Sequence, residues 1–94
     1  MDQMHLSAVA YLTEGVWMVQ GIEYDIRARA LSPDDVPRAI TAAVREQIAI
    51  DTHLGRQPFE GVKPAPTRFA EMFQKAGDVR AAKVDGEVEV RLLA

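Results

Sequence analysis

Residues 22–36 have the sequence Ile-Glu-Tyr-Asp-Ile-Arg-Ala-Arg-Ala-Leu-Ser-Pro-Asp-Asp-Val. From Ile22 to Ala30, apolar side chains alternate with charged ones. Strict alternation over this length predicts a strand with one buried face and one solvated face. Ser32 is a favourable N-cap, Pro33 suits the first helical position, and the two aspartates that follow complement the positive end of a helix dipole. The stretch therefore predicts a strand that leads directly into a helix.

The predicted helix continues to about Leu54, where Gly55 provides a C-terminal stop. At 100° per residue, its apolar side chains form one stripe that would cover a face of a small sheet. The stripe consists of Val36, Ala39, Ile40, Ala43, Val44, Ile48, Ile50 and Leu54. Gln47 and Asp51 fall inside this stripe, one helical turn apart. They either receive a partner or ligand, or lie half-exposed where the helix overhangs the sheet.

The residues before this stretch predict a β-hairpin. Segments 5–12 and 16–20 have strand-forming composition, and Glu14-Gly15 is a two-residue turn signal. With that turn, Leu12 pairs with Trp17, and side chains alternate between the two faces. One face then carries Leu6, Ala8, Ala10, Leu12, Trp17 and Val19. The other carries His5, Ser7, Val9, Tyr11, Met18 and Gln20.

The C-terminal part of the chain predicts a second, shorter helix and at least one strand. Residues 56–63 form a linker, and the helix over 67–76 has an aromatic side. Asp85-Gly86 is a hairpin-turn signature, and residues 87–92 alternate like a strand, whereas residues 79–84 fit either a strand or a loop. The predicted fold class is α+β: an antiparallel sheet of three to four strands packed on one long helix, in the order β-β-β-α-α-β. The whole chain, 1–94, is predicted to be a single domain.

Composition narrows the classes of function. The chain has 94 residues, a net charge of −3 and no cysteine, which excludes disulfides, thiolate metal sites and cysteine nucleophiles. No apolar run reaches the roughly 20 residues of a membrane span, and the amino terminus lacks the features of a signal peptide. A cytoplasmic protein without membrane contact is therefore predicted. Residues 1–26 contain four carboxylates and neither Lys nor Arg, so either a basic partner binds there or the four carboxylates are solvated at strand ends.

The sequence contains no motif that assembles a catalytic centre. It has no Gly-rich phosphate loop, no nucleophile elbow and no pair of histidines at metal-ligand spacing. Glu23 and Asp25 are two residues apart on the predicted strand, and paired carboxylates of this kind either bind a divalent cation and act as acid and base, or form a solvated charge row. The prediction is no enzyme, no catalytic residue, no cofactor and no metal.

Apolar side chains on the second face of the hairpin indicate a possible interface. Either a partner contacts them, or the second helix folds back over them through Phe69, Met72 and Phe73. If they are exposed, nearby carboxylates would attract a basic partner. The candidate partner-binding residues are Val9, Tyr11, Glu14, Met18, Glu23 and Asp25.

Residues 6–50 resemble the HicB-like antitoxin domain of bacteria. Three features carry the resemblance, in order: Val16-Trp-Met-Val-Gln-Gly-Ile-Glu23, Asp25-Ile-Arg-Ala-Arg-Ala30 and Ser32-Pro-Asp-Asp-Val36. The resemblance implies a β-β-β-α-β arrangement similar to a degenerate ribonuclease H-like fold without catalysis. It also implies that the protein binds and blocks a small basic toxin, similar to a double-stranded-RNA-binding domain, that cleaves messenger RNA.

Many members of that family also carry a DNA-binding segment, but nothing after residue 56 resembles one, so direct nucleic acid binding is not predicted. The predicted function is antitoxin-like neutralisation of a small basic RNA-cleaving toxin, together with a tendency to form homo-oligomers. Two alternatives stay open. One is a homo-oligomeric domain without a toxin partner, and the other is a small metal-dependent hydrolase or nuclease relative that uses Glu23 and Asp25.

Overall fold

The computed structural model describes residues 4–84 and 86–93. Within these residues the elements follow the order β-β-β-α-α-β-β, which confirms the predicted α+β class with one long and one short helix. The strands are β1 (Met4–Thr13), β2 (Val16–Gly21), β3 (Arg27–Ala30), β4 (Asp78–Val84) and β5 (Gly86–Leu93). The helices are α1 (Val36–His53), preceded by a 3-10 turn at Pro33–Asp35, and α2 (Thr67–Lys75).

The strands form one sheet in the order β3-β2-β1-β5-β4. β1 pairs antiparallel with β2 and parallel with β5, so the sheet is mixed where an antiparallel sheet of three to four strands was predicted. The chain reaches β5 only after both helices, and a connection of this length allows a parallel neighbour. Residues 79–84 belong to strand β4. The predicted Asp85-Gly86 turn includes Asp85, which lies outside the described residues.

The predicted pairing of the first hairpin is confirmed. Leu12 pairs with Trp17 and Tyr11 with Met18. The two turn residues, Glu14 and Gly15, have φ angles of 51° and 79°. Two positive φ values in a two-residue loop are typical of a type I′ turn, whose twist matches that of the flanking strands. The turn therefore fixes which hairpin residues face each side of the sheet.

Strand β3 is shorter than the alternation over residues 22–30 predicted, because residues 22–26 leave the sheet. The N–H of Gly21 donates to the carbonyl of Ile26 at 2.8 Å, which closes a tight loop. A Cβ on Gly21 would lie 2.6 Å from the carbonyl oxygen of Tyr24, so only glycine fits there. The loop is also bonded to a distant segment, since the N–H of Asp25 donates to the carbonyl of Lys63 at 2.7 Å.

Helix α1 covers one face of the sheet. Val36, Ile40 and Val44 have no exposed surface and pack in the main core. Further along, the buried position is Asp51, whereas Ile50 and Leu54 are 43% and 58% exposed. The buried stripe of α1 therefore follows a different line from the predicted one in the last two turns. The core on this face consists of Leu6, Ala8, Ala10, Val19, Ile26, Ala30, Val36, Ile40, Val44, Phe59, Val88, Val90 and Leu92.

Helix α2 packs on the opposite face, mainly against β1 and β5. Its Phe69 and Phe73 form a second buried cluster with Val9 and Ala76. The protein thus has three layers, with the sheet between α1 and α2. Helix α2 is only nine residues long and packs mainly on β1 and β5, so it covers less of the part of this face formed by β2 and β3.

Candidate protein-binding surface

Strand β3 is the last strand on one side of the sheet and pairs only with β2 among the described residues. One side of its backbone therefore offers N–H and C=O groups that no further strand of the described chain takes. We call this side of Arg27–Ala30 the β3 edge. An unpaired sheet edge is a ready template for an extended segment of another chain.

Arg27 and Arg29 project from the same face of β3, and both are exposed. Arg29 pairs with Met18, and Met18 pairs with Tyr11, so these three residues form one cross-strand row on the face that carries α2. The Tyr11 ring lies 6.3 Å from the Phe69 ring of α2. A groove of about 110 Å³ runs between α2 and the sheet here and is lined by Tyr11, Met18, Val19, Gln20, Arg27, Arg68 and Phe69.

Two arginines, Arg27 and Arg68, line the groove. Arg27 contacts Asp25, with 3.5 Å between Nε and Oδ1, and its side chain is still 66% exposed. Arg68 stacks on the Phe69 ring, with its guanidinium carbon 4.7 Å from the ring centroid. Within the described part of the chain, Arg68 forms no ion pair, and neither does Arg29, which lies beside the groove in the cross-strand row of Met18.

Exposed apolar side chains lie at the far end of β3. Leu31, directly after the strand, is 82% exposed, and Leu12 is 57% exposed. Leu12, Trp17 and Ala30 form one cross-strand row that leads from β1 to the β3 edge. An open cavity of about 210 Å³ at this end is lined by Val16, Arg29, Ala30 and Leu31. A large apolar side chain exposed beside a sheet edge, as Leu31 is here, marks a candidate contact surface.

The structure places the three apolar candidate residues differently. Val9 has no exposed surface, because Phe69 and Phe73 of α2 pack against it. The alternative in which the second helix folds back over this face is therefore the one observed at Val9. Tyr11 and Met18 are half-buried and lie next to Arg29. Of the three, only Tyr11 and Met18 retain surface that a partner could contact.

The three acidic candidate residues are not brought together. Glu14 lies in the hairpin turn, and Glu23 and Asp25 lie beyond the other end of β2, a strand of six residues that spans roughly 20 Å. Glu23 Oε1 accepts a hydrogen bond from the Ser7 N–H at 2.6 Å, and Asp25 Oδ1 accepts one from Gln20 Nε2 at 2.7 Å. Both carboxylates therefore hold the loop after β2 against the sheet.

Asp51 is neither half-exposed nor open to a ligand. Its carboxylate is fully buried and accepts hydrogen bonds from the Phe59 N–H at 2.8 Å, Gln47 Nε2 at 3.1 Å and Arg56 Nη2 at 3.0 Å. The hydrogen bond from Phe59, helped by Gln47 and Arg56, holds the pKa of Asp51 below its ordinary value although burial opposes ionisation. The three donors satisfy the carboxylate, so its role is to anchor the loop after α1.

Residues 4–84 and 86–93 contain neither a cluster of three metal ligands nor a helix that could cross a membrane. No three His, Cys, Asp or Glu side chains in these residues lie close enough to share a metal ion. No helix in the same residues is long and apolar enough to cross a membrane.

Sequence reasoning did not single out the arginines that border the groove. The alternation over residues 22–30 does place Arg27 and Arg29 on one face, and that signal was available. What was missing was the position of the strand, because nothing local to β3 says that it lies at the edge of the sheet. Arg68 comes from α2, and its approach to the groove depends on the tertiary packing of that helix.

Comparisons with known proteins add no relative: no family model, no curated protein and no solved structure matches this chain.

Proposed function

We propose that this chain is a non-catalytic protein-binding domain that holds its partner at the surface around β3. The observation that carries the proposal is that three features occur together at β3 and the residue directly after it. The β3 edge is unpaired in the described structure, Leu31 beside it is 82% exposed, and Arg29 on it has no ion-pair partner there. Unpaired backbone, exposed apolar area and a free charge together supply affinity, burial and orientation for a partner chain.

Within this class, we assign the chain an antitoxin-like role, in which it neutralises a small basic RNA-cleaving toxin by covering part of its surface. The support is the resemblance of residues 6–50 to the HicB-like domain. The order of elements over residues 4–53, three strands followed by a long helix, is the order that this resemblance implies. A toxin that is basic overall can still contain one strand that is not basic, and only that strand would pair with the β3 edge.

The test is to capture a partner with the tagged chain from its native host and then to reconstitute the pair. We expect a small basic protein in near-equal amount, which cleaves RNA when purified alone and stops cleaving when the chain is added. The test variant is Leu31→Asp, which places a charge at the exposed apolar end of β3 and leaves the core unchanged. This variant should restore cleavage at chain concentrations at which the wild type blocks it.

Other outcomes favour the alternatives. A stable assembly of several copies of this chain, with no captured protein, would support a homo-oligomeric domain without a toxin. Calorimetric binding of a divalent cation that disappears in Glu23→Gln would support a hydrolase or nuclease relative. A captured protein that cleaves no RNA would leave the protein-binding function in place and remove the antitoxin role.

A further inference from the structure

The arginines of β3 limit which strand can pair with its free edge. Residues opposite each other in a sheet project to the same face, and like charges placed opposite each other are destabilising. In β3, Arg27 and Arg29 alternate with Ala28 and Ala30. Suppose that two copies of β3 pair antiparallel, overlap over most of their length and have their arginines on the same face of the joined sheet. An arginine of one copy then always lies opposite an arginine of the other. A second copy of this strand is therefore a poor occupant of the edge.

We infer that the β3 edge pairs with an extended segment of a partner protein in which acidic and apolar side chains alternate. The inference rests on the proposed protein-binding function and specifies the chemistry of the segment. Its charge is opposite to that of the arginines, and its period of two is the period at which a strand presents side chains to one face. At the β3 edge, the unpaired backbone would bind the backbone of the segment, the arginines its carboxylates, and the apolar side chains its apolar side chains.

The acidic side chains of the segment belong on the face that carries α2. There they meet Arg29, which has no ion pair in the described structure, and Arg27, which is exposed beyond its contact with Asp25. Arg68 borders the same groove from α2. A carboxylate placed opposite or diagonal to Arg29 gains a charge-assisted hydrogen bond of the kind that an arginine makes well.

The apolar side chains of the segment belong on the opposite face. There Ala28 and Ala30 are small, and both contact the main core under α1. Small side chains on β3 leave room for larger ones on the added strand. Val16, by contrast, has the same facing as Met18, and it lines the cavity at the end of β3 together with Arg29 and Leu31. An apolar residue at that end of the segment would cover Leu31, the most exposed large apolar side chain of the described residues.

The test uses a labelled synthetic peptide, Thr-Glu-Val-Glu-Val-Glu-Thr, with the whole chain. Binding is followed by fluorescence anisotropy, and the site is located from the backbone amide signals of Arg27–Ala30 in NMR spectra. We expect saturable binding that shifts these amides. A peptide with lysine in place of each glutamate should not bind. A peptide with proline in place of both the central glutamate and the valine after it should bind more weakly than one with glutamine in place of the central glutamate. Successive N–H groups of a strand point to opposite sides, so one of the two prolines removes a hydrogen-bond donor to β3 in either strand orientation.

Charge-reversed variants provide the reciprocal test. R27E/R29E should bind the glutamate peptide about tenfold more weakly and should gain binding of the lysine peptide. Arg45→Glu is the matched control, because Arg45 is an exposed arginine on α1, and it should leave both affinities unchanged. Should R27E/R29E fail to fold, as judged by circular dichroism, Arg29→Gln is used in its place and should weaken the glutamate peptide alone.

Three results overturn the inference: no saturable binding of the glutamate peptide, equal binding of the glutamine and proline peptides, or tighter binding of a single-stranded RNA oligonucleotide than of the glutamate peptide. The partner captured from the host separates this inference from the proposed function. If wild type and R27E/R29E retain that partner equally, protein binding stands and the β3 edge is not its site. If no partner is captured but the peptide binds as expected, the edge chemistry stands and the antitoxin role falls.

Discussion

At the scale of single residues, Asp51 holds the chain around it in place through its buried carboxylate. Its carboxylate connects the end of α1 to the loop that follows, through the N–H of Phe59 and the side chain of Arg56. Phe59 has a positive φ of 66°, and its ring stacks on Tyr24 with centroids 4.5 Å apart. A positive φ costs free energy in a residue with a bulky side chain, and the hydrogen bond to Asp51 offsets that cost. The carboxylate thus positions an aromatic ring in the core.

We expect Asp51→Asn to lower the thermal midpoint, because the amide removes the charge that faces Arg56 and leaves one buried polar atom poorly matched. The pKa of Asp51 is depressed in the folded state, so the ionised carboxylate stabilises the fold above the unfolded-state pKa of about 3.9. That contribution is lost as the pH falls through the folded-state pKa. The difference in thermal midpoint between wild type and Asp51→Asn should therefore be constant near neutral pH and should shrink below about pH 4.

Glu46→Gln is the control for this experiment, because Glu46 is an exposed carboxylate on the same helix. It should change the thermal midpoint little at any pH. A difference for Asp51→Asn that grows as the pH falls would contradict the assignment of an ionised, stabilising carboxylate.

Gly21 is a second single residue with a specific steric role. Gly21→Ala should lower the free energy of unfolding by about 1–3 kcal/mol, because the new Cβ would lie within 2.6 Å of the Tyr24 carbonyl oxygen and the loop must shift. Gly77→Ala is the matched control, since a Cβ there meets no atom within 4 Å, and it should change stability by less than about 0.5 kcal/mol. Urea denaturation measures the free energy of unfolding of both variants. Equal losses in the two variants would show that the loop accommodates a Cβ at Gly21 without loss of stability.

At the scale of elements, helix α1 shows how a helical stripe follows the sheet beneath it. Val36, Ile40 and Val44 are spaced by four residues and are fully buried, and Asp51 continues the same line one heptad after Val44. Ile50, one position earlier, turns outward and is 43% exposed. The loop after α1 supplies polar partners at the end of this line, so a carboxylate takes the place of an apolar side chain.

The two isoleucines of α1 give a matched prediction. Ile40→Ala should destabilise the protein by about 2–5 kcal/mol, because it removes buried methyl groups and leaves a cavity. Ile50→Ala should cost less than about 1 kcal/mol, because the side chain is partly solvated and alanine favours the helix. Thermal or urea unfolding of the two variants tells whether Ile40 alone is buried, as in the structure, or whether the buried stripe of α1 also includes Ile50. Similar losses from both substitutions would contradict the structure.

The elements that the sequence predicted well are those whose geometry is decided locally. The pairing of β1 with β2 follows from two turn residues, Glu14 and Gly15, and from the alternation of side chains on either side. The break in the alternating strand at residues 22–26 depends on hydrogen bonds to Lys63 and Ala65, some forty residues away. No pattern within residues 22–30 contains that information.

The candidate site divides in the same way. Tyr11 and Met18 were placed as neighbours correctly, because the hairpin turn determines their pairing. The covering of Val9 was left open, since it depends on where α2 packs. Arg68 and the unpaired state of β3 depend on sheet order and helix docking, and both are non-local properties that periodicity does not encode.

At the scale of the whole molecule, the two faces of the sheet are covered unequally. Helix α1 has 18 residues and α2 has nine, so the layer on the α2 side covers less of β2 and β3. The less covered part is the place where the arginines and the free edge lie together. The three-layer arrangement therefore exposes one end of the sheet without opening the core.

We expect wild type and R27E/R29E each to stay unpaired through β3, because each alone would place like charges opposite each other. A mixture of the two should associate, since arginines of one chain then face glutamates of the other, and high salt should weaken that association. Sedimentation velocity of the two proteins alone and mixed provides the measurement. A wild-type dimer that persists in R27E/R29E would place any self-contact on another surface, such as the exposed Ile50 and Leu54 of α1.

The parallel pairing of β1 with β5 also governs when the sheet can form during synthesis. Ala8 and Val90, which pair across these strands, are separated by about 80 residues, so one side of β1 stays unpaired until β5 has been translated. The hairpin of β1 and β2 and helix α1 can assemble from local contacts well before that. Pairings between residues so far apart in sequence slow folding, because the chain loses conformational entropy before the stabilising contact forms. Completion of the sheet is therefore expected after the hairpin and α1 have formed, and a ribosome-stalled chain that stops before β5 should resist proteolysis less than a chain that includes β5.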